Sequence, residues 1–180
     1  MVQTLSQTPT QKDFFLWVEK NDERKSWFLR EEENIIFSEH CITILGLSFS
    51  LQDLVETANN VDIWSNGQYT YFSYEAALRE SEKLNLRLPT REEWQQLIDY
   101  LPGKKYSDKV SFLIEVFHFP LGGFRCRDNS FFCNFGLDSG YWSSTSTSTH
   151  AYNLHFRNDY INCHDLDFKE IGFMVRCIKK

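Results

Sequence analysis

Cys126 and Cys133 sit seven residues apart in FRCRDNSFFCNFG, and Cys163 adjoins His164 in RNDYINCHDLDF. Thiols and imidazoles are the usual donors of zinc sites, and a pair of thiols can carry redox chemistry. These intervals serve neither well. No C-x2-C or H-x3-H spacing accompanies them. The oxygen-rich NDYINCHDLD lacks the one-three-five spacing and the glycine of a calcium-binding EF-hand loop. No glycine-rich phosphate loop is present, His150 and His155 have no carboxylate or nucleophile partner within a motif, and the serines of YWSSTSTST alternate as ordinary strand or loop hydroxyls do. Residues 157–168 mix a guanidinium, three carboxylates, an imidazole, a thiol, a phenol and two amides, with no helical or strand period. The expectation is a chain with no metal, no cofactor and no catalytic activity.

The elements that position these residues come from a chain of 180 residues, enough for one domain or for one domain with an extension. At 42% hydrophobic and 16% aromatic, it has the material for a packed core, which excludes global disorder. A net charge of −6 without clustered Lys and Arg excludes a nucleic-acid partner. No apolar run is long enough to cross a bilayer. The N-terminus has no basic segment followed by an apolar one, so no secretory signal is read there. That places the chain in the cytoplasm or a phage virion, with its five Cys (41, 126, 133, 163, 177) reduced.

FFLWVEK and SWFLREEENIIF flank the charged NDERK turn and read as a hairpin. CITILGLSF reads as one buried strand, and SLQDLVETA as a helix with Leu51, Leu54, Val55 and Ala58 on one face. Ser73 caps a helix turning Ala76, Ala77 and Leu84 inward. Thr90 opens TREE, a capping box, for a second helix with Trp94, Leu97, Ile98 and Leu101 on one face, ended by Pro102-Gly103. VSFLIEVFHFPLGGFR, YWSSTS, AYNLHF and GFMVRCI then read as strands, with Trp94 and Trp142 in the core and Arg176 in a buried ion pair or backbone contact. Two helices followed by a run of strands predict an α+β domain.

SYEAALRESEKLNLRLPTREEWQQL (73–97), LGGFR (121–125), YWSST (141–145), AYNLHF (151–156) and GFMVRCIKK (172–180) occur in this order. The set resembles the C-type-lectin-fold branch that includes formylglycine-generating enzyme, and within it the variable proteins of diversity-generating retroelements. The resemblance covers about residues 64–180. It implies a C-type-lectin-like α+β domain of two helices and a small twisted antiparallel sheet, with residues 1–63 as an extension packed on it. Formylglycine-generating enzymes use a redox-active cysteine pair near the C-terminus. Here Cys126 and Cys133 lie upstream of that place, and Cys177 in VRC has no cysteine neighbour, so the oxidase activity does not carry over. The lectin calcium motifs EPN, QPD and WND are also absent.

From Val116 to Phe168 there is no Lys, Glu, Gln or Met, although the chain holds 10 Lys, 14 Glu, 7 Gln and 2 Met. Randomising both adenines of an Asn codon yields Asn, Asp, His, Tyr, Ser, Thr, Cys, Arg, Phe, Leu, Ile, Val, Ala, Gly or Pro, and none of those four. Strands deplete Lys and Glu for ordinary reasons, but that does not interleave Cys, His and Arg without period. The variable region is therefore placed at about 116–168. Its candidate ligand-contacting residues are Cys126, Arg127, Asp128, Phe131, Phe132, Asn134, Phe135, His155, Arg157, Asn158, Asp159, Tyr160, Asn162, His164 and Asp165. The expected activity is binding of a protein or glycan through a diversified surface. The alternatives are a formylglycine-generating-type oxidase and a phage or cell-surface structural module.

Overall fold

The computed structural model describes residues 41–50, 52–55, 61–127 and 131–180 in full, and the backbone of short strands at 2–3, 13–20, 23–30 and 36–37. Strands β1 (Val2–Gln3), β2 (Asp13–Lys20) and β3 (Glu23–Arg30) form an antiparallel sheet with the hairpin expected around NDERK. β4 (Ile36–Phe37), β5 (Cys41–Ile44) and β6 (Leu47–Ser50) follow. CITILGLSF is thus two strands and not one. Leu45 and Gly46 both take positive φ, 51° and 80°, and make a tight hairpin turn. No helix is present at 52–55. There the chain runs beside the C-terminal segment, with the Leu54 N–H donating to the Val175 carbonyl at 2.8 Å. Leu51 and Ala58 of the expected helix lie outside the described residues.

β7 (Ile63–Ser65) and β8 (Thr70–Phe72) lead into α1 (Tyr74–Lys83). The Ser73 hydroxyl accepts from the Ala76 N–H at 3.2 Å, and Ala76 and Ala77 are buried, whereas Leu84, at the C-cap, is 57% exposed. β9 (Leu86–Arg87) precedes α2 (Arg91–Tyr100), whose capping box forms as the sequence requires. The Glu93 N–H donates to the Thr90 hydroxyl at 3.1 Å, and the Thr90 N–H to the Glu93 carboxylate at 2.7 Å. Trp94, Leu97, Ile98 and Leu101 are all buried.

A third helix, α3 (Tyr106–Val116), occupies the stretch expected to be a strand. Val110, Leu113 and Val116 recur at helical spacing and are buried together with Phe112. Tertiary packing outweighs the β preference of these branched and aromatic side chains. The remaining strands are β10 (Phe124–Arg125), β11 (Phe132–Cys133), β12 (Asp138–Ser146), β13 (His150–Arg157), β14 (Tyr160–Phe168) and β15 (Ile178–Lys179). Of GFMVRCI, only its final Ile178 belongs to a strand; Phe173 and Met174 make isolated bridges to Phe72 and Tyr141.

The expected two-helix α+β, C-type-lectin-like domain is not what forms. Three helices stand among small separate sheets, mostly antiparallel, with about 40% of residues in strands. The arrangement is nearer to a mainly-β fold. The orders are β10-β11, β12-β13-β14, β4-β5-β6-β15-β9 and β7-β8, besides the N-terminal sheet.

The β12-β13-β14 sheet separates two cores. Tyr141, Leu154, Phe156, Ile161 and Cys163 face α2 and α3, in a cluster joined by Ile42, Ile44 and Phe49 of β5 and β6. Trp142 and Ala151 face α1, Phe72, Phe173 and Val175. The Trp142 Nε1–H donates to the Phe72 carbonyl at 2.8 Å, so the polar edge of this buried indole is satisfied. Arg176 is 1% exposed and does what its apolar neighbours predicted. It donates to the carbonyls of Ser50, Phe117 and His118 and pairs with Asp53 at 2.7 Å.

Candidate functional site

Among the described residues β14 pairs with β13 alone, and it carries a one-residue bulge. His155 pairs with Asn162, but Asn153 pairs with Asp165. The extra residue puts Asn162 and Asp165 on one face although their spacing is odd. That face collects His155 and Arg157 from β13 with Tyr160, Asn162, Asp165 and Asp167 from β14, and Asp138 of β12 opposite Arg157. Trp142 and Ala151 hold the other end of the same face in the core.

The polar groups are closely interlocked. His155 Nδ1 is 3.2 Å from Asp165 and its Nε2 is 3.5 Å from Asp138. The Asn162 amide donates to the Tyr160 hydroxyl at 2.8 Å and to Asp165 at 2.7 Å. The Asn153 amide donates to Asp167 at 2.9 Å. Burial raises the Asp167 carboxyl above the ordinary carboxylate range, against the lowering influence of the Asn153 bond. Asp138 Oδ1 and Asn153 Oδ1 are buried and accept no hydrogen bond among the described residues. Both His155 nitrogens thus face carboxylates, which ties the ring into the polar cluster. Among the described residues no group of three or more His, Cys, Asp or Glu side chains is placed to hold a metal ion.

Arg157, Asn158 and Asp159 are exposed at the β13–β14 turn, where Arg157 lies 3.2 Å from Asp159 and 5.4 Å over the Tyr160 ring. Asn134, at φ 57°, reaches Asp138 at 2.8 Å and joins the 134–137 turn to this face. Arg127 is exposed and stacks 4.3 Å over the Phe168 ring, with Glu170 at 3.7 Å. Phe131 and Phe135 are 69% and 51% exposed, and Phe135 leans on Tyr69.

Other expected contact residues fall elsewhere. Phe132 is half-buried, with its ring 4.8 Å from that of Tyr71, so it anchors the β10-β11 hairpin to the core. His164 lies on the far side of β14, 3.1 Å from Gln95 of α2. Asp128 lies outside the described residues. The expectation of reduced thiols fails for Cys126, which is disulfide-bonded to Cys133 and offers no thiol to a ligand. Cys163 is buried in the core, where burial pushes its thiol up to about 11.

Asp138, Asn153 and Asp167 belong to the cluster and were not singled out from the sequence. Only strand register brings them there, and the β14 bulge that sets the register has no Gly or Pro to mark it. No family model matches the chain, and neither does any curated protein or solved structure.

Proposed function

We propose that this protein binds ligands through a diversified surface, in the manner of the variable proteins of diversity-generating retroelements. The surface comprises the β13–β14 face and the β10–β11 hairpin, and its ligand is a protein or a glycan. One observation carries the reading. The segment from Val116 to Phe168 lacks Lys, Glu, Gln and Met, and its exposed positions include the hairpin, the 134–137 turn and the β13–β14 turn, besides the β12–β13 turn at 146–149 and His118, His164, Leu166 and Phe168. Its inward positions, Tyr141, Leu154, Phe156 and Ile161, form core that a changing surface must leave alone. Rigid strands presenting aromatic side chains beside short polar ones follow the logic of a paratope. Phe131, Phe135 and Tyr160 serve as anchors, and Arg127, Arg157, Asn158 and Asp159 supply polar selectivity.

Sequencing the DNA around the gene tests this reading. A second, near-identical copy of the stretch coding for 116–168 is expected beside a reverse-transcriptase gene, with mismatches confined to adenines of that copy. Mismatches spread over all four bases, or no such copy, overturn it.

A further inference from the structure

The β13–β14 face carries more hydrogen-bond acceptors than donors to serve them. Asp138, Asp165 and Asp167 each accept from an asparagine amide, that of Asn134 at 2.8 Å, Asn162 at 2.7 Å and Asn153 at 2.9 Å. Two acceptors behind these contacts stay empty. Asp138 Oδ1 and Asn153 Oδ1 accept no hydrogen bond among the described residues, in residues 7% and 0% exposed. Both side chains turn into the cluster, Asp138 through its other oxygen on Asn134 and His155, and Asn153 through its amide on Asp167. Buried acceptors without donors leave their negative potential uncompensated.

Charge is unbalanced in the same sense. Among the described residues, His155 is the one basic side chain within ion-pair distance of these three carboxylates. Arg157, although opposite Asp138 in the ladder, lies 3.2 Å from Asp159 at the turn, and Arg127 lies 3.7 Å from Glu170. The charge of Asp165 also pushes the Asp167 carboxyl up, in addition to the larger effect of burial. The cluster meets solvent at Asp165, whose side chain is 37% exposed. Tyr160 stands beside it, with its hydroxyl 3.5 Å from the Asp165 carboxylate. A carboxylate next to an aromatic ring matches a guanidinium, which bonds the one through its planar fork and stacks on the other. Sugar hydroxyls bring no charge to such a site, and an anion is repelled by it.

We propose that this face receives an arginine side chain of a protein partner, with Asp165 as its carboxylate and Tyr160 as its stacking ring. This deepens the binding reading above, rests on it in taking the face as contact surface, and commits the ligand to protein over glycan. Asp138 lies deeper and acts through its charge.

The test titrates the protein with N-acetylarginine methylamide and follows the side-chain amide signals of Asn134, Asn153 and Asn162 by NMR. The matching lysine and glutamate compounds and methyl β-glucoside are titrated in parallel. The arginine compound is expected to shift these signals with a dissociation constant of about 1–10 mM, as suits a single side chain, and to bind tighter than the other three. Raising NaCl from about 0.02 M to about 0.5 M should weaken it at least about threefold. Asp165→Asn, which keeps the shape of the side chain, should weaken it at least about fivefold, the order of one charge-assisted hydrogen bond. Glu92→Gln removes the same charge from an exposed position on α2 and should change it by less than about twofold. Unshifted asparagine signals, equal or tighter binding of the lysine, glutamate or glucoside compound, or equal effects of the two substitutions each overturn the arginine site. The titrations of the unaltered protein decide the matter even where Asp165→Asn does not fold. Their failure leaves the diversified surface standing, and the DNA comparison can fail without touching the arginine site.

Discussion

Replacing Arg176 by Met keeps most of the buried stem and removes the guanidinium. The Ser50 and His118 carbonyls, each accepting at 2.9 Å, and the Phe117 carbonyl, at 3.2 Å, lose their donor. Asp53, only 16% exposed on its side chain, loses the cation 2.7 Å away, a contact close as an ion pair but off the hydrogen-bond line. Removing one partner of a buried pair costs about 3–5 kcal/mol. Stranded carbonyls add to that, and protonation of Asp53 limits it, so a loss of about 4 kcal/mol at pH 7.5 is expected.

The pH dependence follows from the sign of the Asp53 shift. Burial raises this carboxyl above its ordinary value, while Arg176 and the Tyr141 hydroxyl pull it down. A raised acid contributes stability that is fully present below the unfolded value and is lost as pH rises through the folded value. Without Arg176 the folded value climbs further, so the cost of Arg176→Met grows with pH. Urea unfolding at pH 4.5 should show a loss smaller by about 1–2 kcal/mol than at pH 7.5, since each pKa unit is worth about 1.4 kcal/mol. Adding Asp53→Asn should recover about 1 kcal/mol at pH 7.5 and flatten the difference. A cost under about 1 kcal/mol, or one equal at both pH values, refutes the reasoning.

Trp142→Ala and Trp94→Ala should each lose about 3–5 kcal/mol in urea titrations, while Arg157→Ala and Asn158→Ala stay within about 0.5 kcal/mol, as exposed turn positions do. Equal losses in the two groups would place the β13–β14 turn in the core. Gly123→Ala should lose at least about 2 kcal/mol by the same measurement, because φ is +68° and an added Cβ would meet the Cys133 carbonyl oxygen at 2.1 Å. Thermal melts with and without a strong chelator should coincide, and a large chelator-induced drop would call for a metal-held fold. Incubation with copper and a cysteine-containing peptide should give no formylglycine, and turnover lost in Cys126→Ser would favour the oxidase reading.

The sequence by itself determined what local chemistry decides. Ser73 and the Thr90–Glu93 box start α1 and α2 because a side-chain oxygen three residues from a helical N–H needs no distant partner. Trp94 and Trp142 were legible as interior residues from the large apolar area of the indole and Arg176 from its apolar neighbours Val175 and Cys177, and the 116–168 composition gap is visible without coordinates. Tertiary structure decided the rest. The stretch around 110–116 carries strand-forming residues at helical spacing, and only packing against α2 and β14 selects the helix. The Cys126–Cys133 pairing depends on hairpin geometry that a seven-residue interval does not specify. The polar face depends on the extra residue in β14, which joins Asp165 to His155 and sends His164 to the other side. Each residue of a strand alternates between faces, so a single bulge reassigns every side chain beyond it, and a bulge is fixed by the partner strand and not by its own residues.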